Sequence, residues 1–171
     1  WKPTVEDSET LRPLRERSED ELLKTVGEHV CGIYGRPDAV EANLLAYHCP
    51  LQIIWKNSQT AGWLQLTNFG DTTMGKSLIP HMIKDFVGHG CYIIIETASR
   101  TGLLYSIDET REGHVISFGE LPLNDRHLCI LDGSDRMHPE ERAEFRESYR
   151  GGILRVRRIV SATAPMRIRV I

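Results

Sequence analysis

The chain has 171 residues, 40% hydrophobic and 26% charged, enough for one domain with a real core. Its net charge of −3 excludes a global basic field of the kind that announces a nucleic-acid partner. No apolar run approaches membrane-span length, no signal peptide is recognisable, and the cysteines at 31, 49, 91 and 129 lack the C-x-x-C spacing of a zinc or redox site.

Those thiols read as buried and free, in a reducing compartment. Arginines cluster late, at Arg150, Arg155, Arg157, Arg158, Arg167 and Arg169, so a local basic patch can act despite the negative total. The first residue is Trp1 rather than Met, and the expectation is that the chain does not begin at a natural start.

Residues 1–17 are polar and interrupted by Pro3 and Pro13, and read as a leader or short helix. Ser18-Glu19-Asp20-Glu21 is a capping box that opens a helix to about Glu28, with Leu22, Leu23 and Val26 on one face. Cys31 to Gly35 reads as extended. Pro37 and Asp38 start a second helix that runs to about His48. The stretch 50–62 reads as a linking loop. Trp63 to Phe69 is an apolar run with strand character, and Leu78 to Val87 is a helix with Pro80 in its first turn, ended by His89-Gly90. Cys91 to Glu96 and His127 to Asp132 are continuous apolar runs, the pattern of parallel strands covered on both faces. Between them, Leu103 to Ile107 and His114 to Phe118 flank a polar tip and predict a β-hairpin. His138 to Tyr149 is an amphipathic helix broken by Gly151-Gly152. Ile153 to Arg158 with Ile159 to Thr163 predicts a second hairpin, and Met166 to Ile171 a last strand. Strands alternating with helices predict an α/β fold with a mostly parallel sheet, flanked by helices and carrying inserted β-hairpins.

The chemistry concentrates between the Trp63 strand and the Leu78 helix. Gly70-Asp71-Thr72-Thr73-Met74-Gly75-Lys76-Ser77 fits G-x-x-x-x-G-K-[ST] at every fixed position. Strand before and helix after is the context a phosphate-binding loop needs. Glycines let the backbone curl its N–H groups inward, the helix N-terminus adds partial positive charge, Lys76 reaches terminal phosphates, and the Ser77 hydroxyl can ligate Mg²⁺. A chance glycine-rich turn is the bland alternative. Asp132, at the end of a buried strand, is the second anchor: a P-loop NTPase needs an acidic residue there to hold Mg²⁺ on the phosphates. Otherwise it is a strand-end Asp capping a turn. Gly133 follows where a hydrolysing enzyme of this type needs a carboxylate to orient water, so the loop points to nucleotide binding and Gly133 to weak or absent hydrolysis.

The order of these segments resembles the AAA+ ATPase of the minichromosome maintenance (MCM) family, the replicative DNA helicases of archaea and eukaryotes. Ile33-Tyr34-Gly35 followed by a helix resembles the family's I-Y-G-x-x segment beside the adenine. Residues 70–77 are similar to its G-D-P-G-T-A-K-S loop, with Gly75 in place of the usual Ala. Thr101-Gly102-Leu103 through Glu120-Leu121 resembles G-L-T-A…E-A-G-A-L, around an inserted hairpin. Leu128 to Met137 resembles I-C-C-I-D-E-F-D-K-M, with Gly133 at the catalytic Glu. Ile153 to Thr163 matches the hairpin before the sensor strand, and Arg158 stands where the family carries its DNA-contacting Lys. The resemblance spans about residues 20–171.

What it implies is a P-loop NTPase of the AAA+ class over 18–171, truncated before the sensor Asn, arginine finger and helical lid, with its last strand beside the P-loop strand. ATP and Mg²⁺ would be held by Gly70 to Ser77, Tyr34 and Asp132, with Lys76 and Asp132 catalytic and Ser77 and Asp132 on the metal. Truncation implies an exposed sheet edge and weak nucleotide affinity. Arg111, Arg157 and Arg158 on the hairpins would contact DNA phosphates, and the full-length assembly would be an intracellular homo- or hetero-hexamer, with no membrane partner. Two alternatives stand beside this helicase reading. One is a non-catalytic MCM-like scaffold subunit, favoured by Gly133. The other is an unrelated P-loop enzyme such as a small-molecule kinase, which the hairpins and the long interval between Lys76 and Asp132 fit less well.

Overall fold

The computed structural model describes residue 9, residues 12–71 and residues 73–171. A helical turn, α1 (Arg12–Arg15), precedes α2 (Glu19–Thr25). Ser18 caps α2 as its sequence predicts, its side-chain oxygen accepting from the Glu21 N–H at 3.3 Å. The helix then continues past Glu28 as a wider π-helical turn, Val26–Cys31, ended by Gly32 in the left-handed region at φ 66°. The expectation of extended chain from Cys31 is therefore corrected to Gly32 onward: burial of Gly27 and Cys31 against the following helices extends the coil beyond its capped start. Helix α3 (Pro37–His48) has the boundaries the sequence predicts.

The stretch 50–62 is not a loop. It folds as a hairpin, β1 (Gln52–Trp55) and β2 (Ser58–Ala61), in register from Gln52 opposite Ala61 to Trp55 opposite Ser58. Every one of its strand residues is exposed, so no buried/exposed alternation marks it in the sequence.

Helix α4 (Leu78–Val87) ends at Gly88, φ 76°, one residue before the predicted stop. The central sheet contains β3 (Cys91–Ile94), β6 (Leu128–Asp132) and β9 (Arg169–Val170), all parallel and in the order β3-β6-β9. The predicted Trp63 to Phe69 strand contributes a single bridge, Gln65 to Val170, also parallel, reinforced by the Leu66 N–H donating to the Val170 carbonyl at 2.9 Å. This short edge segment brings the phosphate-loop lead-in beside β9, the neighbour the resemblance implies. The predicted Met166 to Ile171 strand narrows to Arg169–Val170, with the Ile171 N–H still donating to the Cys129 carbonyl. Strand β6 is buried at its first four residues because it lies between two parallel neighbours.

Short helix α5 (Arg100–Leu103), hairpin β4 (Tyr105–Thr110) with β5 (Gly113–Phe118), and α6 (Glu120–Leu123) form the crossover from β3 to β6. Helix α7 (Pro139–Gly151) and hairpin β7 (Ile153–Arg157) with β8 (Ser161–Pro165) form the crossover from β6 to β9. Both hairpins thus stand where the sequence predicts them. One core joins the sheet to α7 and the hairpin bases, with Leu154, Met166 and Ile168 at 0% exposure. A second unites α2, the π-turn, α3 and α4 around Val40, Ile79 and Ile83. Cys31, Cys49 and Cys129 are buried free thiols, and Cys91 is half-buried and free. Among the described residues no helix is long and apolar enough to cross a membrane.

Candidate functional site

The loop between Gln65 and α4 turns on three left-handed residues, Gly70 (φ 153°), Thr73 (φ 69°) and Gly75 (φ 79°). Thr72 lies outside the described residues. Gly75 has a local reason to replace Ala: a Cβ there would sit 2.5 Å from the Ile33 Cδ1, on a backbone that side chains rarely adopt. Ile33 is part of the segment that follows the π-turn, and Arg36 of the same segment reaches the Met74 Sδ at 3.5 Å. The Ile33-Tyr34-Gly35-Arg36 stretch therefore lies across the loop, and Tyr34 between those contacts is 74% exposed.

The loop is braced from below. Asn43, 1% exposed on α3, donates to the Ala39 carbonyl at 2.8 Å, and its Oδ1 faces the Asn68 Nδ2 at 3.4 Å. Asn68 Nδ2 lies at the same distance from the Lys76 carbonyl. Lys76 Nζ donates to the Asp71 carbonyl at 2.5 Å, so the ammonium is held inside the curl of the loop.

Asp132 closes the site. Parallel pairing sets Tyr92 of β3 opposite Ile130, two residues before Asp132 at the end of β6, and the loop is carried to β9 by the Gln65 bridge. Ser77, the N-cap residue of α4, makes no cap hydrogen bond; its hydroxyl donates instead to the Asp132 Oδ1 at 3.0 Å. The Tyr92 hydroxyl donates to the Asp132 Oδ2. Burial, followed by the hydrogen bond and charge of Asp132, pushes the Tyr92 phenol up to about 12. Tyr92 also meets His81 of α4 edge-on at 4.8 Å. Gly133 is in the left-handed region, φ 76°, at the start of the turn Ser134–Arg136.

Ser77 at the end of the loop and Asp132, far apart in sequence, thus meet, with Lys76 next to Ser77 in the chain. The donor set fits Mg²⁺: a hydroxyl and a carboxylate, both hard oxygen ligands, already within hydrogen-bond distance of one another. Among the described residues no three His, Cys, Asp or Glu side chains gather as a metal centre. Sequence reasoning missed Tyr92, Asn43 and Asn68. A Tyr inside an apolar strand run needs a partner for its hydroxyl, and that was the available signal for Tyr92.

Arg111 stands at the tip of the β4–β5 hairpin, and Arg157 and Arg158 at the turn of the β7–β8 hairpin, all exposed. Arg155, Arg157 and Arg158 line an open cleft of about 220 Å³ with Tyr105, Glu144 and Glu147. This cleft lies apart from the phosphate loop, and its walls carry both signs of charge.

A family model described as the MCM P-loop domain matches residues 7–164. Comparison with curated proteins gave no match. With the loop, the strand-end Asp and the parallel sheet in place, and the match covering most of its length, the chain belongs to the MCM P-loop domain family.

Proposed function

We propose that this chain is the Mg·ATP-binding AAA+ core of an MCM-type DNA replication helicase, acting within an intracellular hexamer. Residues 18–171 form the core and 1–17 a leader. The observation that carries the reading is the 3.0 Å approach of the Ser77 hydroxyl to the Asp132 carboxylate beside Lys76. In this reading Gly70 to Ser77 wrap the phosphates, Lys76 neutralises their charge, Ser77 and Asp132 hold Mg²⁺, and the Tyr34 segment covers the base. A Mg²⁺ ion held by Ser77 and Asp132 would offset negative charge on the phosphates. Arg111, Arg157 and Arg158 contact DNA phosphates without reading sequence.

Hydrolysis is slow, because Gly133 has no side chain to orient water. The same residue favours a second reading, a scaffold subunit that binds nucleotide without turning it over.

Titration calorimetry with Mg·ATP tests the site. The full chain binds, Lys76→Ala binds at least about tenfold more weakly, and Asp132→Asn loses the dependence on Mg²⁺. Equal affinity of all three proteins, with and without Mg²⁺, sinks the proposal.

A further inference from the structure

Gly133 leaves space at the position from which a water-orienting carboxylate would project, and a carboxylate from another strand lies beside that space. A Cβ built on Gly133 has the Glu96 Cγ as its neighbour, at 3.9 Å. Backbone pairing explains the approach. The β3–β6 register places Ile94 opposite Asp132, and the ladder runs one residue further, with the Ile95 N–H donating to the Asp132 carbonyl at 2.9 Å. The chain then turns, Thr97 N–H returning to the Ile94 carbonyl at 3.2 Å, so that Glu96 stands next to Gly133. Its side chain is 50% exposed, and an ion pair with Arg136, from the turn that follows Gly133, holds it there. Glu96, Asp132 and the phosphate loop all lie at the C-terminal edge of the parallel strands, where α/β sheets bind ligands.

We propose that Glu96 supplies from β3 the water-orienting carboxylate that Gly133 cannot supply from β6, and that it carries the turnover the site retains. The inference rests on the Mg·ATP reading above. In the step assigned to it, the carboxylate accepts a proton from a water molecule as the water oxygen forms a bond to the γ-phosphorus. The bond from that phosphorus to the β,γ-bridging oxygen breaks, and ADP leaves with the electron pair. The proton on Glu96 then passes to solvent, so that water and ATP give ADP, phosphate and one proton. The ion pair with Arg136 holds the carboxylate beside Gly133 before the water arrives. Asp135, although nearer to Gly133 in sequence, lies within the 3₁₀ turn Ser134–Arg136.

The test separates binding from turnover in the full chain. Binding of a fluorescent ATP analogue is followed by anisotropy, and phosphate release from ATP is followed in parallel, for the native chain, Glu96→Gln, Glu96→Asp and Glu96→Ala. Native chain is expected to bind and to release phosphate slowly. Glu96→Gln, close to isosteric at a half-exposed position, is expected to bind within about twofold of native and to release phosphate about 10²-fold more slowly. Glu96→Asp should fall between the two, and added formate should restore part of the rate to Glu96→Ala, a rescue that a purely structural role does not give. Native rates in Glu96→Gln, or binding by the native chain with no phosphate release, overturn the assignment of Glu96 while leaving the binding reading in place. Absence of analogue binding in the native chain overturns both.

Discussion

Asp132 receives one hydroxyl on each carboxylate oxygen, Ser77 on Oδ1 and Tyr92 on Oδ2. The two donors differ in role. Ser77 is the group that a metal ion would recruit, whereas Tyr92 is fixed in a strand and holds the carboxylate in one orientation. Removing that brace in Tyr92→Phe is expected to weaken Mg²⁺-dependent nucleotide binding about tenfold, as loss of a partner behind a metal ligand does, with Mg²⁺-free binding unchanged. The phenol offers a second readout. Its pKa is raised to about 12 from its ordinary value near 10. The protonated form is the one favoured by folding, so the stabilisation is complete below about pH 10 and is lost as pH rises through about 12. Absorbance titration should show a tyrosine near 12 that vanishes in Tyr92→Phe and moves down in Asp132→Asn. It does not return fully to 10 in the latter, because burial, the larger cause, remains. At this scale the loop motif and Asp132 were legible because they are local patterns. Tyr92 and Glu96 were not, because their relevance comes from strand neighbours.

Among the elements, the two hairpins show how far periodicity carries. Both β4–β5 and β7–β8 announce themselves through apolar runs around a polar tip, since their bases are anchored in the core at Tyr105, Leu154 and Val156. The β1–β2 hairpin has no such anchor; Ile53, Ile54 and Trp55 are all exposed, and with no buried face there is no alternation to read. The β7–β8 turn also carries the most specific element-level expectation. If Arg157 and Arg158 contact phosphates, the double substitution to Ala lowers duplex affinity equally across sequences and reduces the slope of log affinity against log salt by about 1 per lost contact. An unchanged slope, measured by anisotropy from low to moderate salt, assigns these arginines instead to the Glu144 and Glu147 side of their cleft.

For the whole molecule, packing depends on a few long-range ties. Asp125, at the entrance to β6, accepts from Arg167 at three atoms: the backbone N–H at 2.7 Å, Nε at 3.0 Å and Nη2 at 2.5 Å. This clamp joins the two crossovers where β6 and β9 begin side by side. Burial raises the Asp125 carboxyl, but the Arg167 side-chain and backbone hydrogen bonds and its charge outweigh that and hold it below the usual range. A carboxyl with a depressed folded pKa stabilises above the unfolded value of about 4 and loses that contribution as pH falls through the folded value. Denaturation followed from pH 7 to pH 2 should therefore show stability declining below about pH 4, with a shallower decline in Asp125→Asn. The sequence alone determined the phosphate loop, Asp132, the helices from Pro37 and Leu78, both core-anchored hairpins and the resemblance, because caps, motifs and hydrophobic runs act over a few neighbouring residues. Only the tertiary structure decided that Gln65 bridges to Val170, that Tyr92 holds Asp132, and that the vacant side-chain position at Gly133 faces Glu96. Those meetings join residues tens of positions apart, and they follow from the partners and register of the parallel strands, which no local window specifies even where its apolar run marks a strand.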